Sequence, residues 1–94
     1  MFHVCVFTDS AHQKFIITGG LSEKEIKEKL SRIIAEKYSK RVFNKLVVFK
    51  SFLMISDGEA FLAAIKNMDS REILRFISSE NPTMVDLSHH LVNQ

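Results

Sequence analysis

His3 and Cys5 stand two residues apart in an apolar, β-branched stretch, so strand alternation would bring an imidazole nitrogen and a thiol to one face. Such a pair could begin a metal site. Two ligands do not close one, however, and the other histidines (His12, His89, His90) fall in a turn-prone segment and near the end of the sequence. Neither Cys-x-x-Cys nor His-x-x-x-His spacing occurs, and the expectation is no metal. Cys5 has no flanking cation or helix N-terminus to lower its pKa, so it reads as a small core side chain rather than a nucleophile. A second cluster, residues 37–45, interleaves Lys37, Lys40, Arg41 and Lys45 with Tyr38 and Phe43. That composition suits a surface that stacks bases and holds phosphates; it equally suits a basic helix end running into a strand. Gly19-Gly20 ahead of a helix could offer amides to a phosphate, although a strand-to-helix turn explains the pair as well.

The elements that would position these groups follow from the pattern. Residues 4–7 and 14–18 are β-branched and aromatic around the turn-prone Thr8-Asp9-Ser10-Ala11-His12, which predicts an antiparallel hairpin ended by the two glycines. Ser22 and Glu25 form a capping box, with Leu21 and Ile26 as its staple, and open a helix over residues 22–38 with Ile26, Leu30, Ile33 and Ile34 on one stripe. A third strand centres on residues 46–49. Ser56 and Glu59 suggest a second box ahead of a short buried helix, and Asp69 and Glu72 a third, with Met68 and Ile73 stapling it. The last helix presents Ile73, Leu74, Phe76 and Ile77 and stops before Pro82, after which residues 83–94 read as a tail. The expected fold is α+β, a small three-stranded antiparallel sheet with flanking helices in the order ββαβαα, in one domain over residues 1–94.

Bulk properties narrow the setting. Ninety-four residues support one modest core. No apolar run approaches the roughly 20 residues that span a bilayer, which argues against a membrane. One cysteine and the absence of a leader-like start point to a reducing, cytoplasmic environment. Charge is uneven: residues 23–50 hold nine Lys or Arg against four Glu, whereas the whole chain carries +2. A basic middle of this kind steers anionic partners or is a solvated helix face.

The element order, with Ile65-Lys66, Phe76-Ile77, Asn81-Pro82 and Asp86-Leu87-Ser88 near the end, resembles the GIY-YIG endonuclease superfamily, and within it the small stand-alone bacterial domains. The resemblance implies a first hairpin whose two name motifs fall on His3-Val4-Cys5 and Phe15-Ile16-Ile17. It also implies a tyrosine hydroxyl beside the attacking water, an arginine on the first helix and a glutamate binding one divalent ion. The hydroxyl would serve as base, the cation would stabilise the phosphorane, and the carboxylate would ligate a hard metal. Here the tyrosine positions hold Cys5 and Phe15, the motif glycine is Ile17, the arginine position falls on Glu25 or, with a one-residue shift, Lys24, and the glutamate position falls on Leu62.

The expectation is therefore a catalytically degenerate domain that binds nucleic acid, weakly and without sequence preference, through Lys37, Lys40, Arg41 and Lys45, or that binds a protein partner or a second copy of itself. No cofactor is expected. The alternative is an active Mg²⁺-dependent nuclease using Glu59, Lys24 and His3. The bulk of Ile17 and Leu62 leads to the further expectation that the former cleft is filled, leaving no open polar pocket at the hairpin.

Overall fold

The computed structural model describes residues 1–38, 42–43 and 45–92, Val92 by its backbone alone. Seven elements follow one another: β1 (Phe2–Thr8), β2 (Phe15–Gly20), α1 (Glu23–Lys37), β3 (Lys45–Phe52), α2 (Ile55–Lys66), α3 (Ser70–Glu80) and α4 (Ser88–Val92). The fold is α+β as expected, with one more helix than the sequence suggested. The sheet is antiparallel in the order β2-β1-β3, which makes the wholly buried β1 its centre and leaves β2 and β3 as edges.

The hairpin closes through Asp9, whose carboxylate accepts the Gln13 N–H at 2.9 Å, while His12 takes a left-handed turn conformation (φ 55°). The glycines do not end β2. Gly19 pairs with Val4 and Gly20 with His3. A β-carbon on Gly19 would lie 2.8 Å from the His3 carbonyl oxygen, so the position needs glycine for close strand approach rather than for a turn.

Strand alternation sorts the side chains to two helix layers. Val4, Val6 and Val48 pack with Ile65, Ile73 and Ile77 of α2 and α3. Cys5, Phe7, Ile16 and Leu46 pack on the other face with Ile26 of α1 and Leu91 of α4. The register slips between Val6 and Phe7, so that Val47 is an extra residue in β3 and bends that strand.

Helix starts agree in part with the sequence reading. Asp69 and Glu72 make the reciprocal box of α3. In α1, Ser22 Oγ accepts the Glu25 N–H, but the Glu25 carboxylate takes the N–H of Leu21 rather than of Ser22, and Leu21 is largely exposed while Ile26 is buried. The box at Ser56 and Glu59 does not form. Met54, in extended conformation, is the N-cap of α2, which places Ser56 inside the helix. Nor is α2 a buried helix: Gly58 and Ile65 face the core, but Ile55, Ala60, Ala63 and Ala64 are exposed. A β-carbon at Gly58 would collide with the Phe2 ring, so the helix lies tight against β1; Phe61 and Leu62 are half-buried against the core, and Ile55 and the alanines face outward. Leu74 likewise leaves the α3 stripe and faces solvent.

The final segment does not trail away. Asn81, buried, donates to the carbonyls of Val47 (3.1 Å) and Val85 (2.9 Å) and accepts the Val85 N–H. Asp86 accepts the N–H of Leu46 at 3.1 Å, and Leu87 donates to the Leu46 carbonyl at 2.7 Å. Residues 81–87 thus line the outer edge of β3 at Leu46 and Val47, and α4 then buries Leu91. Among the described residues, no helix is long and apolar enough to cross a membrane.

Candidate functional site

The positions singled out by sequence separate into three places. Cys5 is fully buried on the α1/α4 face, where burial pushes its thiol up to about 12, far from any nucleophilic or ligating state. His3 is buried on the same face, with Nδ1 2.7 Å from Ser51 Oγ and its ring stacked on Phe49; burial first, and the nearby N-terminal charge second, lower its pKa. Phe15, Ile17 and Leu62 lie on the opposite face, against the α2/α3 core. The sheet therefore stands between the first motif position and the others, because Cys5 pairs with Thr18 and alternation sends Phe15 and Ile17 the other way.

The filled cleft is not what forms. Ile17 and Leu62 touch the core yet remain partly exposed, and both line open space. Three clefts of about 340, 240 and 400 Å³ follow the outer edge of β2, between α1 on one side and α2 on the other. The first two share Leu62 and Lys29, the last two share Ile33, and Lys66 lines all three, so together they make one groove. Its floor is Phe15, Ile17, Thr18 and Gly19.

The groove is cationic along most of its length. Lys29, Arg32 and Lys37 come from α1 and Lys66 from the end of α2. Lys29 is committed, with Nζ 2.8 Å from the Gly19 carbonyl oxygen and 3.1 Å from Glu25. Arg32, Lys37 and Lys66 have no ion pair among the described residues. Carboxylates gather at the other end, where Glu25 and Glu59 line the first cleft beside Leu21 and Ile55. The Leu21 N–H, and after it Lys29, hold the Glu25 carboxyl below the usual carboxylate range.

The basic segment divides. Lys37 lines the groove, whereas Lys45 points its ammonium at His12 Nε2, 3.2 Å away, beside the hairpin turn; Lys40 and Arg41 lie outside the described residues. Tyr38 packs its ring on Phe43 at 5.1 Å. The residues of the nuclease alternative do not meet: Glu59 lines the first cleft, Lys24 a shallow depression on α1, and His3 neither. Among the described residues, no three His, Cys, Asp or Glu side chains come together as a metal set. Arg32 and Lys66, which sequence reasoning passed over, are central here. Their signal was present only as charges on two helices far apart in the chain.

Fold and site together define an α+β domain with a cationic groove at one edge of its sheet. No family model, curated protein or solved structure matches the chain.

Proposed function

We propose that this chain is a binding module without nuclease chemistry, built on a GIY-YIG-like frame, and that it holds an anionic ligand in the groove between α1 and α2. The observation that carries the reading is the set of cations on that groove, Arg32, Lys37 and Lys66, none with an ion pair among the described residues, above a floor of partly exposed apolar side chains. Unsatisfied cations along a concave surface attract a complementary anion and set its orientation. The absence of cleavage follows from the residues: Cys5 is sealed beneath the opposite helix layer, Phe15 has no hydroxyl, and Leu62 has no carboxylate.

The test is a titration of fluorescein-labelled poly-glutamate and of a labelled single-stranded 20-mer DNA, at two salt concentrations, run beside incubation of supercoiled plasmid with Mg²⁺ or Mn²⁺. Anion binding is expected to weaken with salt and to fall on charge reversal at Lys37 and Lys66 but not at Lys45, and the plasmid is expected to stay intact. Equal dependence on Lys45 would move the site to the basic segment. Metal-dependent nicking that is lost in Glu59→Gln would establish the nuclease alternative.

A further inference from the structure

The floor of the groove is a strand edge. Because Lys29 reaches the Gly19 carbonyl from outside, that carbonyl points away from β1. Antiparallel pairing alternates the direction of successive backbone groups, so Ile17 and Phe15 turn their N–H and C=O outward as well, while Ile16 and Thr18 bond to β1. Outward groups thus repeat every second residue, about 6.8 Å apart, the spacing of a neighbouring extended chain. Unpaired edges invite added strands, and folded proteins cover or charge them. This protein covers the Leu46–Val47 end of its β3 edge with residues 81–87, through the Leu46 N–H, the Leu46 carbonyl and the Val47 carbonyl. On the outer side of β2 the described residues supply the Lys29 ammonium alone.

We propose, resting on the groove reading above, that the β2 edge takes up an extended acidic polypeptide segment of a partner protein as a fourth strand. The charges select this occupant. A second copy docking edge to edge about a two-fold axis would bring Arg32 and Lys66, at the middle of the groove, against their own equivalents, a like-charge arrangement. Nucleic acid would meet Glu25 and Glu59 at one end, which repel phosphate, and the one tyrosine is already packed on Phe43. An extended peptide uses every feature: its backbone pairs with Phe15 and Ile17, its carboxylates reach Lys37 and Lys66, and an apolar residue enters between Leu21 and Ile55, which are 52% and 49% exposed.

The experiment uses fluorescein-labelled octapeptides of Glu-Glu-Val-Val repeats, which put carboxylates on both faces of the added strand, measured by anisotropy. Two further peptides carry N-methyl groups on alternate amides, one in each register. The unmodified peptide is expected to bind saturably. Methylation in one register should weaken it about tenfold or more, because that register supplies the N–H groups facing β2, and methylation in the other should have little effect. Lys66→Glu, an exposed change that leaves the core intact, should cost about tenfold as well. If both methylated peptides bind like the parent, strand addition is overturned while the anion groove stands. Tighter binding of the single-stranded 20-mer through Lys37 and Lys66 has the same effect. If neither peptide nor nucleic acid nor poly-glutamate binds, both readings fall. A salt-insensitive dimer that excludes the peptide overturns the strand proposal in favour of self-association.

Discussion

The β2 edge and the Leu46–Val47 end of the β3 edge are treated in opposite ways. At β3 the chain returns on itself: a buried amide side chain, a carboxylate and one backbone N–H satisfy the outward groups of Leu46 and Val47, at the bulge in that strand. At β2 the corresponding groups face a groove whose walls are helices and whose rim is cationic. The difference lies in where the polar partners come from. The closed edge finds them in its own sequence, at Asn81, Asp86 and Leu87; the open edge has cations arranged for partners that the chain does not supply.

The largest expected effect comes from opening the closed edge. Asn81→Ala leaves the buried Val47 carbonyl without its partner and frees the more exposed Val85 carbonyl and N–H to water, which should lower stability by about 1–3 kcal/mol. Urea unfolding read by circular dichroism measures it, and a midpoint equal to wild type would mean that the return segment contributes nothing. A smaller effect sharpens the same point by pH. Burial pushes the Asp86 carboxyl up, but hydrogen bonds from Ser88 and from the Leu46 N–H outweigh it and hold the group below its ordinary range. A carboxyl lowered in the folded state contributes stability above its unfolded pKa of about 3.9, and that contribution is lost as pH falls through the folded value. Asp86→Asn should therefore cost about 0.5–1 kcal/mol at neutral pH, discounted because the group is exposed, and should flatten the acid limb below about pH 4. The step from His3 should remain in that variant. Its lowered pKa makes the neutral imidazole the folded form, so its contribution is full above about pH 6.5 and declines as pH falls below it.

Local features were legible in the sequence, and long-range ones were not. The Asp69/Glu72 box and the core of β3 at residues 46–49 depend on neighbours within a few positions, and both stand where the pattern put them. Ser56 and Glu59 met the same spacing rule and failed, because Met54 enters the helix two residues earlier and Gly58 fixes it against Phe2. The return segment was read as a tail because Asn81 and Asp86 find partners 34 and 40 residues away, and no periodicity encodes such a bond. The candidate site divides in the same way. Leu62, Glu25 and Lys37 were singled out one by one and do line the groove, but Cys5 was grouped with Phe15 and Ile17 on motif order, whereas strand alternation sets it on the other face. The groove itself joins β2, α1 and the end of α2, a conjunction that exists only once the sheet has formed.

The central claim is that the chain closes the β3 edge at Leu46 and Val47 and leaves the β2 edge open for a ligand, and amide hydrogen exchange followed by NMR tests it most directly. In the free protein the Leu46 and Leu87 amides, bonded to Asp86 and to the Leu46 carbonyl, should exchange about 100-fold or more slowly than the outward amides of Phe15 and Ile17. Adding the acidic octapeptide should then slow Ile17 while leaving Leu46 unchanged. Slow exchange at Phe15 and Ile17 in the free protein, or exchange at Leu46 as fast as at Ile17, would contradict the account.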